Sequence, residues 1–153
     1  MPDIYSSKKR SEIMSKISGK DTGPEIIVRK YLFANGFRYK KNVKNLPGKP
    51  DIVLPKYKAV IFIHGCFWHN HRECKKSKLP QTRTEFWENK IAGTVIRDKR
   101  NISDLAKQGW RIAIVWECGT KKKDNLKYII NKLSEWIVDG KSKRIELSGQ
   151  EIL

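Results

Sequence analysis

The spacing of apolar and polar residues predicts a helix early in the chain, followed by a short strand and a turn. In DTGPEIIVRKYLFANG (21–36), apolar side chains recur at helical spacing, and Gly36 is a natural end for the helix. FRYKKNV (37–43) alternates in a way that predicts a strand. LPGKP (46–50) combines glycine with proline and predicts a turn.

Three apolar segments predict further strands. DIVLP (51–55) and KAVIFIHG (58–65) are close enough along the chain to pair as a hairpin, and WRIAIVWEC (110–118) is a third segment of this kind. The second and third are apolar almost throughout, as expected of strands that are buried on both faces of a sheet. If these two strands are neighbours, their ends come together.

Two longer segments predict helices. TRTEFWENKIAGTVIRDKRNISDLAKQG (82–109) has Thr82 and Glu85 at capping-box spacing and Gly109 at its end. DNLKYIINKLSEWIVDG (124–140) places a row of apolar side chains on one helical face. The members of this row are Leu126, Ile129, Ile130, Leu133 and Ile137.

The order of the predicted elements indicates a single α/β domain over residues 1–153. Helices on both faces of a mixed sheet, a three-layer α/β/α architecture, bury these elements most economically. A chain of 153 residues fits one core. Residues 141–153 carry no strong pattern, and we expect a loose tail there.

The charge of the chain points to a nucleic acid as its partner. Lys and Arg number 33 against 16 Asp and Glu, which gives a net charge of +17. Clustered positive charge binds polyanions by releasing their counterions. The sequence has no apolar run long enough to span a membrane and no apolar signal core. An odd cysteine count of 3 favours a reducing, cytoplasmic setting with free or metal-bound thiols.

The segment IFIHGCFWHNH (61–71) holds every histidine of the chain. Within and after it, Cys66, His71 and Cys74 stand at compact metal-ligand spacings. Cys118 ends a predicted strand that would return beside them if the strands are neighbours. Four such ligands would form a closed tetrahedral site, which is typical of structural zinc. The alternative is three unrelated thiols, two of them buried.

The histidines outside this set, His64 and His69, point to phosphate chemistry. Asp51 begins one predicted strand and His64 ends the next, so a hairpin would place them together. An aspartate at a strand end can hold Mg²⁺, and histidine moves protons near neutral pH. Glu25 is a second candidate carboxylate. The alternatives are hydrogen-bonded structural histidines, a turn aspartate after proline, and a Glu25 that only closes a capping box with Thr22.

Three large rings have no obvious place in the predicted core. Phe67 and Trp68 lie in a polar loop, and Trp87 lies near the start of the following helix. Aromatic residues usually pack in the core, but large apolar side chains also wedge between base pairs and unstack them. Unstacking costs least at a mismatched or damaged base. Rings in a polar loop are less easily explained as core residues, so a wedge of this kind is the alternative.

Several stretches of the sequence resemble a known family, the very short patch repair (Vsr) endonucleases. These enzymes nick DNA at mismatches and have a restriction-endonuclease-like fold. The resemblance runs from residue 10 to 118, and the stretches HGCFWH and TRTEFW are highly specific to the family. The matching stretches are RSEIMSKI, DTGPE, LPGKPDIV, VIFIHGCFWHNH, PQTRTEFWENKI, RDKRNI and GWRIAIVWEC.

The resemblance implies a Mg²⁺ site around Asp51, which matches the central metal ligand. The backbone carbonyl of Ile63 would complete metal binding, although the family pattern has threonine at this position. His64 would lie near the metal-bound water and the phosphate. Glu25 resembles an outer-shell residue that acts on this water.

The resemblance also implies a base, a zinc site and a DNA wedge. His69 resembles the proposed general base, and Asp98 resembles the carboxylate that orients it. Residues 1–20 are expected to contact DNA. The structural zinc ligands would be Cys66, His71, Cys74 and Cys118, with one extra residue between His71 and Cys74 relative to the family pattern. The DNA-binding set would be Phe67, Trp68 and Trp87 from the major groove and Met14 from the minor groove.

The function implied is Mg²⁺-dependent nicking of duplex DNA on the 5′ side of the thymine in a T:G mismatch, the product of 5-methylcytosine deamination. We expect a monomer in the bacterial cytoplasm, associated with the nucleoid, with a MutL-like mismatch-repair protein as a candidate partner. One rival is a restriction-type endonuclease of the same fold that needs no mismatch. The other is a zinc-stabilised DNA-binding module without catalysis.

Overall fold

The computed structural model describes residues 23–41, 43–67, 69, 71 and 79–148, and its helices and strands follow the predicted order. The helices are α1 (Gly23–Ala34), α2 (Thr84–Lys107) and α3 (Lys123–Asp139). The strands are β1 (Lys40–Lys41), β2 (Ile52–Leu54), β3 (Ala59–His64), β4 (Arg111–Trp116) and β5 (Arg144–Leu147). Short 3-10 helices, Pro55–Tyr57 and Glu117–Thr120, follow β2 and β4.

The strands form one mixed sheet in the order β1-β2-β3-β4-β5. The first three are antiparallel, and the β2–β3 hairpin pairs Ile52 with Ile61. The last three are parallel, and His64 pairs with Trp116 at the carboxyl ends of β3 and β4. Parallel neighbours need long crossovers, which α2 and α3 provide. The sheet thus brings the start of β2 and the ends of β3, β4 and β5 to the same end of the molecule.

Helices cover both faces of this sheet. Successive side chains of a strand point to opposite faces, so Ile61 and Phe62 of β3 enter different cores. The first core contains α1 and α3, with Leu32 and Leu133 fully buried. The second core packs against α2 through Leu105. The predicted three-layer α/β/α architecture with a mixed sheet is confirmed.

Glycines end the first two helices where the sequence predicts. Gly36 has a φ of 90° and Gly109 a φ of 86°, a left-handed backbone that glycine adopts without steric cost. The Gly36 N–H donates to the carbonyl of Phe33 at 3.0 Å and closes the last turn of α1.

The prediction of a loose tail is wrong for residues 144–147, which form β5. This strand adds in parallel to the edge of β4, pairing Ala113 with Ile145 and Val115 with Leu147. Leu147 is buried in the first core, and Ile145 packs partly against it. A strand of 4 residues with two apolar side chains has too little pattern of its own, and the open edge of β4 supplies the stabilising contacts.

The predicted capping box at the start of α2 is also wrong. The cap position is Arg83, which has a φ of 54° and makes no side-chain capping hydrogen bond. The Thr84 hydroxyl instead donates to the carbonyl of Pro80 at 3.0 Å. The preceding segment thus turns sharply into the helix, and Thr82 lies outside it.

None of the described helices is long and apolar enough to cross a membrane.

Leu105 should be the main anchor of α2, and Leu105→Ala is expected to lower the free energy of unfolding by about 2–5 kcal/mol through the cavity it leaves. Leu105 is fully buried, whereas Ile96 on the same helix is 65% exposed. Ile96→Ala is therefore the matched control and should change stability by about 0.5 kcal/mol at most. Urea denaturation measures both. Equal losses in the two variants would contradict the packing of α2 on the sheet.

Candidate active site and metal centre

The candidate residues from distant parts of the chain meet at one end of the sheet. Asp51 immediately precedes β2, and His64 is the last residue of β3. Cys118 lies in the 3-10 helix that follows β4. The antiparallel hairpin joins the first two, and the parallel β3–β4 pairing brings in the third.

Asp51 is fixed by the backbone of the neighbouring strand and faces a buried carboxylate. The Ile63 N–H donates to Asp51 Oδ2 at 2.7 Å across the hairpin. Glu25, in the first turn of α1, forms a side-chain hydrogen bond with Asp51. Glu25 is 3% exposed, and Arg29 of the next helical turn lies 3.8 Å from its carboxylate. One guanidinium thus stands beside two carboxyl groups.

The pKa of Asp51 is raised to about 7, mainly by burial and also by the charge and hydrogen bond of Glu25, while the Ile63 N–H and Arg29 oppose the rise. Protonated Asp51 can donate to the Glu25 carboxylate, which accounts for two carboxyl groups in contact. A divalent cation favours oxygen ligands and would replace this proton. The donor chemistry at Asp51 therefore fits Mg²⁺.

Removing the Asp51 titration should change how stability depends on pH. The folded-state pKa of about 7 lies above the ordinary 3.8, so the folded protein holds a proton that the unfolded chain loses. This contribution is fully present below about pH 4 and is lost as the pH rises towards about 7. In metal-free buffer, Asp51→Asn should thus gain about 1–3 kcal/mol relative to the wild-type protein between about pH 5 and pH 8.

Denaturation of both proteins at the two pH values measures this gain. Asp124→Asn is the matched control, because Asp124 is exposed in the first turn of α3. A stability difference for Asp51→Asn that stays constant with pH would contradict the buried carboxyl pair.

His69 and Asp98 form a second catalytic-type pair beside the end of β3. His69 Nδ1 lies 2.6 Å from Asp98 Oδ2, which is on the middle of α2. The two side chains are 24% and 22% exposed, so a ligand can reach them. The ring of His64 stacks on that of His69 with centroids 3.8 Å apart and planes within 4°. The His69 ring is thus held on one side by the Asp98 carboxylate and on another by the His64 ring.

His64 is held in its neutral form. The pKa of His64 is lowered to about 3, mainly by burial and also by the charge of His69, although Asp98 opposes this. Its Nδ1 is buried and has no hydrogen-bond partner among the described residues. The orientation of this ring therefore depends on packing more than on hydrogen bonds.

Cys66, His71 and Cys118 form a separate group of metal-ligand type. Their ligand atoms all lie within 4.8 Å of one another, and His71 Nδ1 is 3.6 Å from Cys118 Sγ. Bond lengths of about 2.3 Å to sulfur and about 2.0–2.1 Å to nitrogen, at the tetrahedral angle, place these atoms about 3.6 Å apart. Burial lowers the pKa of His71, which keeps the ring neutral, as a metal ligand must be. These donors therefore fit a zinc ion.

Two of the predicted wedge rings pack against each other near the start of α2. Phe67 and Trp87 meet at a centroid distance of 5.6 Å with planes at 66°. Phe86 lies 5.1 Å from Trp87 and is 41% exposed. The Arg83 guanidinium sits 4.2 Å above the Phe86 ring. Apolar rings with an adjacent cation are a surface suited to bases and phosphates.

Three predicted site residues, Met14, Trp68 and Cys74, lie outside the described residues. The other candidates form the clusters described above, and several side chains that support these clusters were not predicted from the sequence. Arg29 was detectable as a partner of Glu25, because the two are one helical turn apart. The supports from the end of β4 and the 3-10 helix after it carried no such local signal. Glu117 accepts from the Cys66 N–H at 3.1 Å, and Trp116 contacts both His64 and His71.

Comparison with solved structures supports the fold. The chain resembles the catalytic domain of the homing endonuclease I-Bth0305I with a TM-score of 0.54 and 20% identity. The match covers 80% of this chain and 100% of that domain. At this identity the likeness shows a shared fold and no more.

Comparison with known sequences is more specific. The family model described as DNA mismatch endonuclease Vsr matches residues 2–76. The type II nicking enzyme V.NmeAIP of Neisseria meningitidis is 49% identical over 91% of this chain and 99% of its own length. The DNA mismatch endonuclease Vsr of Escherichia coli is 41% identical over 100% of this chain and 99% of its own length. On this full-length similarity, the chain belongs to the Vsr family of DNA mismatch endonucleases.

Proposed function

We propose that this chain is a Mg²⁺-dependent endonuclease that nicks one strand of duplex DNA on the 5′ side of the thymine in a T:G mismatch. One observation carries the proposal: a buried Asp51 and the His69–Asp98 pair converge at one end of the sheet. A metal-ligand carboxylate beside an oriented histidine is the donor set needed to hydrolyse a phosphodiester. The relatives named as mismatch endonuclease and nicking enzyme support the same reaction.

His69 is the general base in this proposal. The Asp98 carboxylate accepts the hydrogen bond from Nδ1, so that the proton resides on Nδ1 and Nε2 is left to accept a proton from water. The stacked ring of His64 fixes the plane of His69. Because His64 stays neutral, it does not repel the positive charge that His69 gains. Asp98 and His64 thus orient His69 so that its Nε2 can accept the proton.

Asp51 and the backbone carbonyl of Ile63 would hold the Mg²⁺ ion, with Glu25 in the outer shell. Mg²⁺ supplies a Lewis acid that offsets the charge developing on the phosphate. Asp51 must release its proton to the solvent for this role, and Arg29 favours the ionised form. Glu25 then becomes an acceptor for a hydrogen bond from water in the site.

The charge and the exposed rings would bind the DNA. A net charge of +17 favours the phosphate backbone, with no need for sequence recognition. Phe67 and Trp87, together with Trp68 and Met14, would open the mismatched step, where unstacking costs least. One active site per chain makes one nick, so we propose that the protein acts as a monomer. We further propose that it acts on nucleoid DNA in the bacterial cytoplasm, with a MutL-like protein as a candidate partner.

A single-turnover nicking assay tests the function. A duplex with one T:G mismatch should be nicked in Mg²⁺ and left intact in a chelator. A matched T:A duplex of the same sequence should be cut at least about 10²-fold more slowly, because the wedge must open a sound base pair. Equal rates on the two duplexes would favour a restriction-type enzyme instead. Tight binding with no cutting of either would favour a binding module.

Zinc bound by Cys66, His71 and Cys118, with Cys74 as the fourth ligand, should order the loop that carries Phe67. Elemental analysis of the purified protein should find one zinc ion per chain. Cys118→Ala should lose the ion and several kcal/mol of folding free energy, because zinc binding and folding are coupled. Cys118→His keeps a zinc-ligating group and should retain the metal. Full zinc occupancy in Cys118→Ala would contradict this ligand set.

A further inference from the structure

An unbroken series of rings crosses the carboxyl ends of β3 and β4. The ring of His71 lies flat on Trp116, with centroids 4.1 Å apart and planes within 7°. Trp116 meets His64 edge to face at 5.2 Å and 75°. His64 stacks on His69 at 3.8 Å, and His69 is bonded to Asp98. The series therefore runs from the Cys66–His71–Cys118 group to His69, the proposed base. Trp116 contacts both His71 of that group and His64 of the stacked histidines.

Trp116 is itself fixed from several sides. It is 8% exposed, and its backbone is paired with His64 in the parallel ladder. Its indole N–H donates to Glu146 Oε1 on β5 at 3.1 Å. A ring held by a strand, a hydrogen bond and two flanking rings has little freedom to rotate.

His64 depends on this ring, because hydrogen bonds do not hold its buried side. Its Nδ1 has no hydrogen-bond partner within the described part of the chain. Its orientation comes from contacts with the rings of Trp116, His69 and Phe62. Loss of the indole would leave a space into which His64 can turn, and the face that supports His69 would move with it.

We propose that Trp116 is a positioning residue that couples the Cys66–His71–Cys118 group to the stacked histidines of the active site. Its effect on the reaction rests on the proposed function, whereas its effect on the rings does not. The Cys66–His71–Cys118 group then does more than stabilise its loop. Through Trp116, this group sets the orientation of His69, the proposed base.

Trp116→Leu tests the kinetic consequence, and Trp110→Leu is the matched control. Trp110 packs partly in the same core at the opposite end of β4, so the control loses the same kind of ring away from the site. Trp116→Leu should lower the single-turnover nicking rate by about 10–100-fold, as expected of a residue that orients another one. Its Kd for the T:G duplex should stay near the wild-type value. Trp116→Phe keeps an aromatic face and should recover most of the rate.

Imidazole NMR provides a readout that needs no DNA and no activity. The chain has 3 histidines, and all belong to this series, so each ring signal is assignable. Trp116→Leu should shift the signals of His71, His64 and His69, whereas Trp110→Leu should leave them in place. Unchanged His64 and His69 signals in a folded Trp116→Leu protein would overturn the proposal. A nicking rate that does not change would overturn it equally.

Glu146→Ala keeps the proposal testable if Trp116→Leu fails to fold. The Glu146 side chain is 47% exposed, so its truncation removes the indole's acceptor without opening the core. The signals of His64 and His69 should shift by a smaller amount than in Trp116→Leu, and unchanged signals of both rings would overturn the proposal. The His71 signal is left out of this comparison, because the Glu146 charge acts on His71 directly. If the wild-type protein nicks no duplex, the proposed function fails, but the ring signals still decide whether Trp116 positions the histidines.

Discussion

Asp51→Asn is expected to reduce the nicking rate on a T:G duplex by about 10³-fold or more, because a Lewis-acid cation lowers the activation barrier by several kcal/mol. The amide has the shape of the carboxyl group and can still accept the hydrogen bond from the Ile63 N–H. It has no negative charge with which to hold Mg²⁺. Binding of the duplex should persist, because the basic surface and the rings are unchanged.

Single-turnover rates and fluorescence anisotropy on the same labelled duplex measure the two effects separately. Asp124→Asn removes a similar charge from an exposed site on α3 and should cut at the wild-type rate. Nicking by Asp51→Asn at a wild-type rate would remove Asp51 from the catalytic centre. Loss of both binding and cutting would instead point to a folding defect.

His69→Ala is expected to lower the nicking rate by about 10²–10⁴-fold, the usual contribution of a positioned general base. Asp98→Asn should also lower the rate, because the amide can present its NH₂ group to His69 and favour the wrong tautomer. The loss should be smaller than in His69→Ala, because the imidazole itself is retained. The double variant should be little worse than His69→Ala alone, since the two residues act as a unit.

The matched control for this pair is Asp104→Asn, on the same helix and outside the site. It should leave the rate unchanged. Rate losses that simply multiply in the His69→Ala/Asp98→Asn double variant would show that the two side chains act independently. That result would contradict the role of Asp98 in orienting the base.

The local pattern of the sequence carried most of the fold. The helices are long and strongly periodic, and the central strands are continuous apolar runs bounded by polar segments, so the type of these elements followed from the apolar pattern. The hairpin geometry also placed Asp51 beside the end of β3, which β2–β3 pairing confirms. The return of Cys118 to the loop depended on β3 and β4 being neighbours, and this too is confirmed.

What escaped prediction depends on contacts between distant residues. β5 is stabilised by the free edge of β4, which no local pattern of its own announces. The start of α2 is set by the backbone at Arg83 rather than by a capping side chain. Trp116 reads as an ordinary core residue of a buried strand until its contacts with His64 and His71 are known. The residues that meet at the candidate site were thus more predictable than the side chains that support them.

Mapping the cut on both strands of one mismatched duplex is the most direct test of mismatch-dependent nicking by this protein. Each strand of a T:G duplex is labelled at its 5′ end, and the products formed in Mg²⁺ are sized beside those of a matched T:A duplex. We expect a single product from the thymine strand, ending on the 5′ side of the mismatched thymine, and an intact guanine strand. Cuts on both strands, or equal cutting of the matched duplex, would contradict this expectation.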